Sequence, residues 1–166
     1  MVQPIYLTGF MGVGKTTVGR LLAEKCGRAF LDLDEEITRV EKKTIPEIFQ
    51  KDGEQGFRKM ELNMVRELKG RGCITATGGG IVETPEAVEE MRKNGTVVYL
   101  HAPFAVLYER ISGDETRPLT AGGREALQER FDRRSSAYRK ADICVDTEDK
   151  SPLQIVEEIK KRAGLA

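Results

Sequence analysis

The sequence is poor in the groups that most often announce a function. It holds one histidine and three cysteines in 166 residues. Cys26, Cys73 and Cys144 lie far apart, and none belongs to a Cys-x-x-Cys pair. Neither a disulfide framework nor a zinc site is indicated, and the three read as small apolar residues kept in a reducing compartment. His101 follows a strand-like run at 97–100 with no serine or cysteine motif to serve, which excludes a hydrolase triad and suits a structural role at a strand end. No apolar run approaches the ~20 residues of a membrane helix. Residues 1–8 are too short and uncharged for a secretion signal, so a cytoplasmic protein with no membrane partner is expected. Charge of one sign is also missing: 27 Lys and Arg balance 27 Asp and Glu. A dedicated nucleic-acid binder is usually basic. The arginine-rich run at 130–140 is interleaved with acidic residues and reads as a solvated helix face carrying one inward arginine, so no nucleic-acid partner is expected.

What is present is an alternation of short strands and helices, on a length that suits one domain over 1–166. Strand-like runs stand at 5–8, 29–33, 73–77, 97–100 and 143–145. Helical periodicity fills 16–26, about 53–69, a segment capped by Thr84 and opened by Pro85-Glu86, 105–111 and 124–139. Ser151-Pro152-Leu153-Gln154 resembles a capping box and starts a last helix. Such alternation predicts an α/β fold with a parallel sheet covered on both faces. Residues 112–123, with Gly113, Pro118, Gly122 and Gly123, read as a loop and as a mobile lid.

The strongest signal is Gly9-Phe10-Met11-Gly12-Val13-Gly14-Lys15-Thr16, which fits G-x-x-x-x-G-K-[ST]. Its context is right, with a strand before it and an amphipathic helix after it. Glycines let backbone N–H groups turn inward toward phosphate oxygens, and the helix N-terminus adds positive potential. Lys15 is expected to reach the β- and γ-phosphates, and Thr16 to hold Mg²⁺. A nucleoside triphosphate site follows, without saying what the triphosphate is used for. The Asn-Lys-x-Asp motif of a guanine-reading GTPase is absent. The third strand ends in Thr77-Gly78-Gly79-Gly80 rather than in the acidic pair of a motor ATPase. A small-molecule kinase is the economical reading.

For the acceptor, Asp32 and Asp34 are two apart at the end of the second strand, where alternation would place both on one face beside the phosphate loop. One could reach Mg²⁺ through water and the other could orient or deprotonate a hydroxyl; the alternative is that both only cap the next helix. Arg58 and Glu61, spaced i, i+3, can pair, either as an ordinary surface pair or with Glu61 holding Arg58 for a substrate carboxylate. Gly78 to Gly80 offer close backbone approach to a ligand. Arg134 shares a helical face with Leu127, Phe131 and Tyr138, so it points inward as a second carboxylate grip. Arg117, in the expected lid, suits a cation closing over the transferred phosphoryl group.

Together these residues resemble the shikimate kinase family. The likeness runs nearly end to end, through 9–17, Phe30-Leu31-Asp32-Leu33-Asp34, Gly56-Phe57-Arg58 with Glu61, Thr77-Gly78-Gly79-Gly80, Arg117-Pro118-Leu119, Arg134 with Tyr138, and Ala141-Asp142. The resemblance implies a three-layer nucleoside-monophosphate-kinase-like fold with sheet order 2-3-1-4-5, a substrate-binding region at about 34–62 and a lid at about 112–124. It implies transfer of the γ-phosphoryl group of ATP to the 3-hydroxyl of shikimate, with one Mg²⁺, in aromatic amino-acid biosynthesis. Lys15, Asp34 and Arg117 would be catalytic. Gly12, Val13, Gly14, Lys15, Thr16, Thr17 and Arg117 would bind ATP, with Arg110 and Pro152 sandwiching adenine. Asp34, Arg58, Gly79, Gly80 and Arg134 would bind shikimate, with Glu61 in support. Thr16 would ligate the metal directly and Asp32 through water. A gluconate-kinase-like sugar-acid kinase and a non-catalytic ATP-binding module are the rival readings. A monomer is expected.

Overall fold

The computed structural model describes residues 2–113 and 122–166. Strand β1 (Ile5–Thr8) runs into the glycine loop and then helix α1 (Lys15–Cys26). Strand β2 (Phe30–Asp32), α2 (Leu33–Glu41), α3 (Ile45–Glu67) and β3 (Ile74–Ala76) follow. A 3₁₀ turn (Ile81–Glu83), α4 (Pro85–Asn94), β4 (Thr96–His101), α5 (Phe104–Ser112), α6 (Gly123–Tyr138), β5 (Ile143–Asp146) and α7 (Pro152–Ala163) complete the order.

All strand pairings are parallel and the sheet order is β2-β3-β1-β4-β5. This is the order that the family resemblance implies. Every residue of β1 and β3 is buried, as are Val97 to Leu100 in β4, because helices cover both faces of the sheet. Their side chains join Leu22, Leu33, Ile37, Met91, Leu107 and Val156 in one apolar core. The register sets Leu7 beside Ala76 and Val98, and Ala76 beside Asp32. The carboxyl ends of β1, β2 and β3 are therefore neighbours, which is where ligands bind in open α/β sheets. Among the described residues no helix is long and apolar enough to cross a membrane.

Several sequence expectations need correction. Strand β2 stops at Asp32, and Leu33 already begins α2, so Asp34 lies in the first helical turn and not on a strand. Helix α3 starts at Ile45, well before residue 53, with Thr44 capping Glu47 N. Gly53, at φ 71 and ψ 179, breaks it into two segments, and this break hid the first segment from a single-period reading. Thr84 precedes α4, but its side chain makes no cap bond. Cys73 is buried as an apolar residue would be, whereas Cys144 is exposed because β5 shows alternate residues to solvent. The capping box of α7 is present in both arms, Gln154 N to Ser151 Oγ at 3.2 Å and Ser151 N to Gln154 Oε1 at 2.7 Å. His101 closes β4, and its carbonyl accepts from Thr147 N and Thr147 Oγ1, which fits the structural role.

Candidate active site

The phosphate loop is built by backbone that L side chains rarely adopt. Gly12 has φ 85 and Gly14, immediately before α1, has φ 103. No side chain caps α1, so its first N–H groups stay directed at the loop's interior. The Lys15 ammonium folds over the loop and donates to Gly9 O at 2.6 Å and Phe10 O at 3.3 Å. A cleft of about 250 Å³ opens beside it, lined by Gly12, Gly14, Lys15, Thr16, Thr17, Asp32, Asp34 and Gly78 to Gly79 among others. A second cleft of about 220 Å³ is lined by Val13, Gly14, Thr17, Arg110, Thr147, Lys150, Pro152 and Ile155. Gly14 and Thr17 line both, so the two join across the loop. Arg110 is steered there by its bond to Gly12 O at 3.1 Å.

Asp32 and Asp34 do line one cleft, by a different geometry from strand alternation. Asp32 Oδ1 caps α2 by accepting from Glu35 N at 3.1 Å. The capping alternative therefore holds for Asp32, while Asp34, two residues into the turn, faces the cleft. Asp34 Oδ1 is buried and takes no hydrogen bond from a described residue. Burial, reinforced by the Asp32 charge, raises the Asp34 pKa, against the opposing pull of Lys15 and Arg58.

Arg58 and Glu61 are no surface pair. Arg58 Nη1 lies 2.7 Å from Glu61 Oε1, and the Glu61 side chain has 0% exposure. Glu54 takes Arg58 Nη2 at 3.3 Å from the solvent side. Burial raises the Glu61 pKa to about 7, although Arg58 pulls it down. Arg134 is likewise inward, with its side chain 9% exposed, whereas neighbouring Arg133 is 54% exposed. Arg134 Nε donates to Glu83 Oε2 at 2.9 Å, and Arg133 Nε donates to Glu83 Oε1 at 2.8 Å.

The three glycines after β3 are where these groups meet. None of Gly78, Gly79 and Gly80 has positive φ, so space and not backbone freedom explains them. A Cβ on Gly78 would sit 3.0 Å from Asp34 Oδ1 and 3.3 Å from Glu61 Oε2. One on Gly79 would sit 3.2 Å from Arg134 Nη1. One on Gly80 would collide with Arg58 Nη2 and lie 3.0 Å from Arg134 Nη2. Two acids and two arginines thus converge on a bare stretch of main chain, pinned by Tyr138 OH donating to Gly79 O at 2.6 Å. Tyr138 is itself stacked on Tyr99, with centroids 4.9 Å apart.

The structure therefore brings together Gly12, Val13, Gly14, Lys15, Thr16, Thr17, Asp32, Asp34, Arg110 and Pro152 around the clefts, and Arg58, Glu61, Gly79, Gly80 and Arg134 beside them. Arg117 and the middle of the expected lid, 114–121, lie outside the described residues. Sequence reasoning missed Glu83 and the Tyr138 hydroxyl bond, since each joins residues more than 50 positions apart. Asp142, of the Ala141-Asp142 pair, ties the segment before β5 to β4 by accepting from Val97 N at 2.8 Å.

Comparison with known proteins identifies the family. The family model described as shikimate kinase matches residues 11–163. The shikimate kinase of Persephonella marina is 46% identical over 162 residues, covering 97% of this chain and 99% of that one. The Acinetobacter baumannii shikimate kinase, solved in complex with shikimate, superposes with a TM-score of 0.87 at 38% identity, covering 97% of this chain and 92% of that one. The Aquifex aeolicus shikimate kinase gives a TM-score of 0.84 at 39% identity, covering 96% and 95%. By the family model it matches, its 46% identity to a curated relative and its sheet order, this chain belongs to the shikimate kinase family.

Proposed function

We propose that this enzyme transfers the γ-phosphoryl group of ATP to the 3-hydroxyl of shikimate, giving shikimate 3-phosphate and ADP. The observation that carries the reading is Asp34 Oδ1, a buried acceptor without a partner among the described residues, lining the same cleft as Lys15. A hydroxyl that donates to this oxygen is held within reach of the phosphate loop. As the acceptor oxygen bonds to the γ-phosphorus, the bond to the β–γ bridging oxygen breaks, and Asp34 is placed to take the hydroxyl proton.

Other residues divide the remaining work. The loop amides of Gly12 to Thr17 and the Lys15 ammonium bind the phosphates and their growing charge. The cleft between Arg110 and Pro152 suits a flat base. Arg117 would add a further cation at the phosphoryl group. Arg58 and Arg134 grip the substrate carboxylate, and Gly79 and Gly80 bring main chain against it. Thr16 and Asp32 both line the first cleft, and their side chains carry oxygen donors of the hard kind that Mg²⁺ accepts. Thr16 directly, and Asp32 through water, would hold Mg²⁺ there, which would neutralise phosphate charge. We read the enzyme as a monomer, since among the described residues the exposed large apolar side chains Val2, Val40, Phe49 and Leu153 are spread over the N-terminal segment and three different helices.

The test is ADP release with Mg-ATP and either shikimate or gluconate as acceptor. Release with shikimate alone, lost in Lys15→Ala, supports the proposal. Tight ATP binding without release for either acceptor overturns it in favour of an ATP-binding module, and release with gluconate alone overturns the substrate.

A further inference from the structure

Arginine can grip a carboxylate with two parallel N–H bonds only if its plane is held at the right angle, because the guanidinium fork is rigid while its stem is not. For Arg58 that orientation comes from Glu61 on the same helix. Arg134 has no acid at helical spacing on α6 that bonds it. Its Nε is instead taken by Glu83, from the last residue of the 3₁₀ turn that follows the triple glycine. Glu83 uses its other oxygen for Arg133 Nε at 2.8 Å. Binding at Nε leaves both Nη groups on the far edge of the fork, Nη1 3.2 Å from the Cβ position of Gly79 and Nη2 3.0 Å from that of Gly80.

We infer that Glu83 is a positioning residue for substrate, which locks the Arg134 guanidinium so that its Nη pair faces the acceptor's carboxylate, with Arg133 locking Glu83 in turn. The inference rests on the shikimate-kinase reading and adds a residue to it. Three features support this role over simple surface pairing. Glu83 bonds a largely buried arginine, and it does so at Nε, the one nitrogen that carboxylate gripping by the Nη pair does not use. It also sits three residues from Gly80 on the same turn, so main chain and guanidinium are fixed relative to each other by one short segment. Burial alone would push the Glu83 proton affinity up, but the bonds from Arg133 and Arg134 outweigh it, so Glu83 stays ionised at neutral pH and keeps its hold.

Steady-state kinetics on Glu83→Ala, Glu83→Gln, Arg134→Ala and the double variant Glu83→Ala/Arg134→Ala test this. Glu83→Ala should raise the shikimate KM about tenfold, the scale of one charge-assisted hydrogen bond, with ATP KM unchanged. Glu83→Gln keeps a neutral acceptor for Nε and should recover part of the loss. On the Arg134→Ala background, removing Glu83 should change the shikimate KM no further. Additive effects in the double variant, or equal rises in both KM values, would mean that Glu83 only supports the fold, and the inference falls. An unchanged shikimate KM in Glu83→Ala also overturns it, while wild-type turnover leaves the function intact. Absence of shikimate turnover by the wild-type enzyme instead removes the function and this role together.

Discussion

Arg58 Nη1 stands 2.7 Å from Glu61 Oε1, and the carboxylate that holds it is shut off from water. A buried acid beside a half-buried arginine gains little net stability, since desolvation offsets most of the attraction. The pair is better understood as orientation: buried Glu61 fixes the guanidinium through Nη1, and only the exposed Glu54, at 3.3 Å from Nη2, has to give way for a ligand. Loss of Arg58 then costs binding directly. Arg58→Ala should raise the shikimate KM about ten- to a hundredfold, from a charge-assisted bond of about 1.5–3 kcal/mol. The ATP KM should hold. An unchanged shikimate KM would remove Arg58 from the substrate site.

Glu61 also makes stability depend on pH. Its pKa is about 7 in the fold, against an ordinary value of 4.5. Below the ordinary value, folded and unfolded chains are both protonated and the contribution is whole. Between the two values the unfolded chain has released the proton while the fold retains it, so stability falls as pH rises. Above about 7 the loss is complete. Denaturant unfolding of wild type and Glu61→Gln across this range should give a difference that declines with rising pH and then levels. A difference that does not vary with pH would show that burial has not raised this carboxyl. Asp34 is shifted in the same direction, so its contribution has the same sign.

Asp34 is the test of the chemistry. Its raised proton affinity makes it a better base than a solvated aspartate, and Oδ1 takes no bond from a described residue. Asp34→Asn keeps the shape and removes the base. We expect kcat to drop by about 10²-fold or more, the usual scale for losing a general base, while ATP still binds. Isothermal titration with a non-hydrolysable ATP analogue and single-turnover rates separate the two. Near-normal turnover would leave Asp34 as no more than a hydroxyl contact.

How much of this could be read without coordinates depends on sequence distance. The phosphate loop is contiguous, so its glycines, Lys15 and Thr16 are legible as a string. Arg58 and Glu61 are legible because helical spacing alone brings i and i+3 together. Asp32 and Asp34 were found as a pair with the wrong local reason: Asp32 both ends β2 and caps α2, and the helical turn, not strand alternation, delivers Asp34. Glu83 was invisible, because its partners are 50 and 51 residues away and only the sheet brings them near. The segment of α3 before Gly53 escaped because one residue with φ 71 breaks the helical period.

Two glycines separate space from backbone strain as reasons for having no side chain. Gly80 has φ −93, which any residue adopts, yet a Cβ there collides with Arg58 Nη2 and crowds Arg134 Nη2. Both guanidiniums are tethered, to Glu61 and Glu83, so neither can swing away without breaking an ion pair. Gly80→Ala should therefore raise the shikimate KM about tenfold or more, as one charge-assisted bond is displaced, with little change in melting temperature. Gly53 is the reverse case: φ is 71, and nothing lies within 4 Å of the Cβ position. Gly53→Ala should cost about 1–3 kcal/mol of stability, because φ 71 with ψ 179 is a conformation essentially reserved for glycine, and leave the shikimate KM alone. Thermal melts and KM values for the two variants, measured side by side, should show opposite patterns. If Gly80→Ala binds shikimate like wild type, the arginines are looser than their ion pairs indicate, and the triple glycine needs another explanation.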